Sequence, residues 1–317
     1  MNAAVPAPAP AGPAFRHDLA RWRQLVAPAW LHACLAGRAV MAAPSANWRL
    51  FEVGCDGSPA FAQAHIPGAT YLDTQQLEQQ PLWNKVSDRA LLDVLLANGV
   101  RHDSTVVLYG RNPLAAARAA HLMLYAGVAD VRLLDGGWRA WCAAGYGSEA
   151  GTSARHAPID AFGIDFPARP EYLIDMRQAR ELLRRRDAAL VSTRSWNEFI
   201  GKTSGYSYID AKGDIPGARW GRAGNDDDVN SMLDYHHADG TLRDAADIRR
   251  LWTRAGIRRG QRTAFYCGTG WRASLAFYFA WLMEWDGISV YDGGWFEWSL
   301  DPRNPVVCRA GQDGSAA

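Results

Sequence analysis

Short apolar runs of four or five residues alternate along this chain with longer stretches of helical period. In the first half, VVLY (Val106 to Tyr109) is followed by Gly110, a helical stretch reaching Gly127, and then VRLLDGGW, which ends at Trp138. In the second half, TAFY (Thr263 to Tyr266) is followed by Cys267, a helical stretch to about Trp285, and ISVYDGGW, which ends at Trp295. Apolar runs of that length bounded by turn residues are strand-like. Strands alternating with helices predict an α/β fold whose mainly parallel sheets carry helices on both faces.

The two halves match without a gap. Gly110 to Asp135 spans 135 − 110 = 25 residues, and Cys267 to Asp292 spans 292 − 267 = 25. His65-Ile66-Pro67-Gly68-Ala69 has its partner in Asp214-Ile215-Pro216-Gly217-Ala218, and WRLFEVG (Trp48 to Gly54) has a looser one in AALVSTR (Ala188 to Arg194). Three anchors in the same order predict a duplication. Gly151 to Pro170 is rich in Gly, Pro and Ala and lacks a period, so it reads as a linker. The expected layout is a flexible Ala/Pro-rich tail over 1–15, a first domain over 16–150, the linker over 151–170, and a second domain over 171–317.

Composition narrows the function classes. The chain has 317 residues, 48% of them apolar and 21% charged, which is enough to bury two cores. A net charge of +1 gives no case for nucleic acid or an acidic membrane surface. No apolar run is long enough to span a membrane, and the first thirteen residues lack the basic start and apolar core of a secretory signal. The five cysteines, Cys34, Cys55, Cys142, Cys267 and Cys308, are scattered, odd in number and form no C-x-x-C pair. That pattern indicates neither a disulfide framework nor a zinc site and points to a reducing, cytoplasmic setting.

The chemistry concentrates at one point. Cys267-Gly268-Thr269-Gly270-Trp271-Arg272 follows the TAFY strand and opens an apolar helix. A strand, a glycine-rich turn and a helix start place the thiol where open α/β sheets bind ligands. The two glycines let the backbone curl with its N–H groups inward, and the helix N-terminus and Arg272 add positive charge. Such a cradle favours a thiolate, attracts an anionic sulfur donor, and can hold a Cys–S–S⁻ persulfide. Cys267 is the expected catalytic residue, and Gly268, Thr269, Gly270, Trp271 and Arg272 are the expected substrate-binding residues. The first half has Gly110-Arg111-Asn112-Pro113 instead, with no thiol and one N–H fewer, so a structural role is expected for it.

These residues resemble the rhodanese superfamily, and within it the tandem two-domain sulfurtransferases. The likeness runs from about Leu25 to about Pro305. It rests on CGTGWR, both copies of IPGA, both copies of DGGW, and LVSTRSWNEFIG (Leu190 to Gly201). It implies two tandem rhodanese-like domains, the first inactive and the second catalytic. It also implies a double displacement: a small anionic donor gives sulfane sulfur to Cys267, and a thiophilic acceptor such as cyanide or a thiol removes it. Thiosulfate is the favoured donor and 3-mercaptopyruvate the alternative; no metal or organic cofactor is implied. The chain departs from the family pattern where Gly268 and Thr269 replace a common Arg and Lys. It departs again where Ser192 replaces a common Asp, and where Glu198 replaces a donor-binding Arg of some members.

Other readings are weaker. Cysteine phosphatases use Cys-x5-Arg, whereas here 272 − 267 = 5 makes the spacing Cys-x4-Arg, and no acidic residue lies beside the loop in sequence. Gly268-x-Gly270-x-x-Ala273 fits a dinucleotide fingerprint, but the other half keeps Asp135 with no such glycines. A dedicated persulfide carrier or redox sensor, passing sulfur to one partner protein, stays open as the non-enzymatic alternative. His236 and His237 read as a surface pair, Arg194 as an ion-pair partner, and Asp135 and Asp292 as turn residues bonded to nearby backbone.

Overall fold

The computed structural model describes residues 15–310 apart from 56, 58 and 153–155. The tail expected over 1–15 lies outside the described residues except for its last member. That residue, Phe15, is buried against Trp22 and Trp30 and so belongs to the first core. The described part of the expected linker holds no helix or strand up to Arg169.

The first sheet has the order β1 (Leu25–Val26), β7 (Asp130–Leu134), β6 (Thr105–Tyr109), β2 (Arg49–Gly54), β3 (Thr70–Asp73). The second runs β8 (Leu173–Ile174), β12 (Ile288–Tyr291), β11 (Arg262–Tyr266), β9 (Ala188–Ser192), β10 (Arg219–Trp220). The two orders are the same, and every pairing within them is parallel. A short antiparallel ribbon, β4 (Glu78–Gln79) and β5 (Asn84–Lys85), projects from the first domain.

Strand periodicity of two divides each sheet's side chains between two faces. In the first domain Phe51, Val106, Leu108 and Val131 point to the face covered by α3 (Asp88–Ala97) and α4 (Pro113–Ala126). Leu50, Val107, Tyr109 and Leu134 point to the face covered by α1 (Pro28–Leu35), α2 (Pro59–Gln63) and α5 (Gly137–Ala143). In the second domain Val191, Phe265 and Val290 meet α8 (Ala245–Arg254) and α9 (Trp271–Leu282). Leu190, Ala264, Tyr266 and Tyr291 meet α6 (Met176–Leu183) and α10 (Gly294–Leu300); α7 (Trp196–Ile200) follows β9. Helices α4 and α9 are apolar nearly all round because they pack on each other as well as on their own sheets, joining the domains in one core.

The repeated motifs explain themselves in this frame. Asp135 bonds the nearby Gly136 backbone, as the sequence leads one to expect, but both Asp135 and Asp292 also reach across to the other domain. Asp135 Oδ1 accepts from the Leu242 amide at 2.8 Å, and Asp292 Oδ2 accepts from the Lys85 amide at 2.8 Å. Each DGGW aspartate thus clasps the opposite domain. The second glycine of each motif has positive φ, +54° at Gly137 and +55° at Gly294. A Cβ there would meet the carbonyl oxygen of Gly110 or of Cys267 at 2.6 Å. The following tryptophan amide instead donates to that carbonyl, at 3.2 Å for Trp138 and 2.8 Å for Trp295. DGGW therefore fastens the loop after the central strand to the helix beneath it.

Candidate active site

Strand β11 ends at Tyr266 and α9 begins at Trp271, so Cys267 to Gly270 form the loop between them. Gly270, at φ +111°, caps the helix and donates its amide to Cys267 Sγ at 3.1 Å. The α9 amides of the first turn have no intrahelical acceptor, so positive potential surrounds the sulfur. The Gly268 amide goes elsewhere, to the hydroxyl of Tyr206 at 3.2 Å. Gly268 packs against the Tyr206 ring so closely that any side chain there would collide with it. The loop's carbonyls are pinned by α10, Cys267 O by Trp295 and Gly268 O by Phe296.

Arg272 does not project freely into the loop. Its guanidinium is held bidentately by Glu198, with Nη1 to Oε2 at 2.8 Å and Nη2 to Oε1 at 2.9 Å, and Nη2 also donates to the Tyr206 hydroxyl at 2.8 Å. The charge that the sequence assigns to the loop is thereby balanced by a carboxylate 74 residues away, which no local reading reveals. Burial pushes the Glu198 carboxyl up, but the Arg272 guanidinium, then Arg194, overrides burial and holds it at about 2. Glu198 is ready-placed because it closes a capping box with Ser195 at the start of α7. Arg194 is fully buried and bonds Glu198, Asp214 and the Gly213 carbonyl. Ser192 donates to Asp214 at 2.9 Å.

Cys267 is 1% exposed and does not itself line the cavity of about 400 Å³ between the domains, which its loop neighbours reach. Thr269, Trp271 and Arg272 line that cavity together with Tyr206 and Tyr208, and the first domain adds Glu78 and Trp83. Trp271 Nε1 donates to Glu78 Oε2 at 2.7 Å. Burial drives the Glu78 carboxyl up, against the pull of Arg118 and Trp271, to about 7. The equivalent place in the first domain, lined by Tyr109, Gly110, Gly136 and Gly137, is only about 20 Å³, room for a single water-sized guest. A Cβ at Gly110 would meet Asn112 O at 2.5 Å and Val53 O at 2.8 Å, so this loop has no space for a cysteine.

Glu78, Trp83, Tyr206 and Tyr208 are absent from the sequence reading because each reaches the site from a distant segment. Of the other features, His236 is buried with Nδ1 on the Met232 carbonyl, which corrects the surface-pair expectation. Cys308 is exposed and its thiol lies against the Lys212 carbonyl at 3.6 Å. No cluster of His, Cys, Asp or Glu among the described residues is arranged to hold a metal, and no described helix is long and apolar enough to cross a membrane.

The duplicated five-stranded sheets and the single cysteine loop agree with a match to the rhodanese-like domain over residues 45–144 and again over 175–301. This chain belongs to the rhodanese family. Thiosulfate sulfurtransferase YnjE of Escherichia coli is 52% identical over 295 residues, covering 93% of this chain and 67% of that one. Its crystal structure superposes with a TM-score of 0.89 at 53% identity, over 91% of this chain and 69% of the other. An anaerobic ergothioneine biosynthesis enzyme from Chlorobium limicola, solved with trimethyl histidine, superposes with a TM-score of 0.87 at 38% identity, covering 91% and 71%. A probable 3-mercaptopyruvate sulfurtransferase of Pseudomonas aeruginosa is 31% identical over 265 residues, covering 79% and 87%. The family has the same tandem α/β architecture here as the sequence resemblance implies, in two copies joined across α4 and α9.

Proposed function

We propose that this rhodanese-family chain is a sulfurtransferase that carries sulfane sulfur as a persulfide on Cys267. The observation that carries the reading is the Gly270 amide at 3.1 Å from Cys267 Sγ, at the carboxyl end of a central parallel strand. The same place in the first domain is filled by Gly110 and closed by backbone. The first domain is therefore catalytically silent and acts as a wall of the cavity.

With thiosulfate as donor, the Cys267 thiolate attacks the outer sulfur. The S–S bond of thiosulfate breaks and sulfite leaves with its electron pair, so the enzyme holds Cys–S–S⁻. A nucleophilic acceptor, cyanide or a thiolate, then attacks the terminal sulfur, and Cys267 leaves as thiolate. The Gly270 amide, with the first-turn amides of α9, stabilises the anion on either sulfur. No metal or organic cofactor enters either step. With 3-mercaptopyruvate the same attack would expel the pyruvate enolate, which takes up a proton. The scattered, odd number of cysteines without a C-x-x-C pair supports a reducing, cytoplasmic setting.

A second reading of the acceptor is favoured by the cavity itself. Its walls include Trp83, Tyr206, Tyr208 and Trp271 with the Glu78 carboxyl, and its one cationic lining residue, Arg272, is already paired. About 400 Å³ is far more than cyanide needs, and the aromatic faces suit a heteroaromatic molecule bearing a quaternary ammonium, such as trimethyl histidine.

Cys267→Ser should abolish sulfur transfer and the mass gain of one sulfur atom after exposure to donor, with the fold unchanged. Retained turnover in that variant would refute the assignment. Steady-state rates with thiosulfate and with 3-mercaptopyruvate, each with cyanide and with trimethyl histidine, separate the donors and acceptors. A dedicated carrier would release about one equivalent of sulfur and stop.

A further inference from the structure

Helix α4 of the cysteine-free domain carries one charged residue, Arg118, in the run PLAAARAAHLMLYA. Its side chain is 0% exposed. It crosses the domain interface, where Nε donates to Glu78 Oε1 at 2.6 Å and Nη2 donates to Asp292 Oδ1 at 2.5 Å. The third nitrogen, Nη1, is buried without a hydrogen-bond partner. It lies 3.2 Å from the point a Cβ on Gly270 would occupy, and so packs directly on the residue whose amide holds the Cys267 sulfur.

The duplication provides an internal control. Gly110 and Cys267 are 267 − 110 = 157 residues apart, and the same offset carries Arg118 onto Leu275, since 275 − 118 = 157. Leu275, on α9, lines the small closed space at the Gly110 loop of the first domain. Each helix thus presents this position to the other domain's loop. The loop without a thiol receives a leucine, and the loop with the thiol receives a guanidinium. Burying a guanidinium at such a site is costly unless two carboxylates surround it. Glu78 and Asp292 are both present to do so.

We propose that Arg118 is a positioning residue for sulfur transfer: the first domain uses it to fix the Gly270 amide against the Cys267 sulfur. The planar fork spans three points at once, the β4 ribbon through Glu78, the DGGW turn through Asp292, and the cysteine loop at Gly270. A lysine has the charge but cannot span them. Arg272 cannot substitute, because Glu198 and Tyr206 occupy its terminal nitrogens.

The proposal rests on Cys267 as the sulfur carrier, and its test is chosen to fail separately from that reading. In Arg118→Lys, and in Arg118→Met combined with Glu78→Gln so that Asp292, still held by the Lys85 amide, is the one carboxylate short of a donor, two quantities are measured against Glu78→Gln alone. One is the rate of Cys267 alkylation against pH. The other is the division of any steady-state loss between kcat and KM. The expected result is a slower, pH-shifted alkylation and a kcat loss on the order of tenfold, the worth of one hydrogen bond to charged sulfur, with KM for donor nearly unchanged. A lowered melting temperature with native alkylation and native kcat would show a purely structural residue and overturn the proposal. Alkylation needs no donor, so it reports on the loop even if the native protein transfers no sulfur.

Discussion

The Arg272–Glu198 pair is the strongest electrostatic feature beside the cysteine, and Glu198→Gln tests what it is worth. The two carboxylate oxygens accept four hydrogen bonds. Oε1 takes Arg272 Nη2 at 2.9 Å and Arg194 Nε at 3.3 Å; Oε2 takes Arg272 Nη1 and the Ser195 amide, both at 2.8 Å. Glutamine keeps one oxygen and turns its NH₂ toward two of these donors. Each orphaned buried donor costs about 1–3 kcal/mol, so the loss should be roughly 2–6 kcal/mol. Linkage leads to a similar figure. The folded carboxyl sits at about 2 against an unperturbed 4.5, worth roughly 3 kcal/mol at about 1.4 kcal/mol for each tenfold change. Because the folded value is depressed, this stability is fully present above pH 4.5 and is lost as pH falls toward 2. Urea unfolding followed by tryptophan fluorescence should show the variant less stable by about 3 kcal/mol at pH 7. The deficit should stay constant down to pH 5 and shrink below 4.5. A deficit under about 1 kcal/mol at pH 7, or one gone by pH 6, would refute the reasoning.

Glu78 should behave with the opposite sign. Burial raises its folded value to about 7, so its stabilising contribution is complete below 4.5 and is lost as pH rises through 7. Glu78→Gln should therefore gain on the native protein in melting temperature between pH 5 and 8; parallel curves would count against this. Trp271→Phe removes the indole donor to Glu78 and should cost about 1–3 kcal/mol by the same unfolding assay. Gly110→Cys should lower stability by about 1–3 kcal/mol, since its Cβ meets two carbonyl oxygens. Placed in a Cys267→Ser background, it should acquire no sulfur from thiosulfate by mass spectrometry.

Much of this protein is legible from local residue order. The duplication, the three long strands of each half that follow the apolar runs (β2, β6 and β7; β9, β11 and β12), and the cysteine loop all depend on period and spacing, which neighbouring residues set by themselves. The two-residue strands β1, β8 and β10 and the ribbon β4–β5 carry no such period, because partners rather than propensity make them strands. The site divides in the same way. Cys267, Gly270 and the start of α9 are local; the electrostatics are not. Arg272 reads as a free cation until Glu198 is folded against it, and Asp292 reads as a turn residue until Lys85 and Arg118 arrive from the other domain. A lone arginine in the apolar run PLAAARAA did carry a trace of its role, since a charge on a helix buried all round must be paired. Which groups pair with it depends on how the sheets and helices bring distant segments together, and charge neutralisation acts through that spatial proximity rather than through sequence spacing.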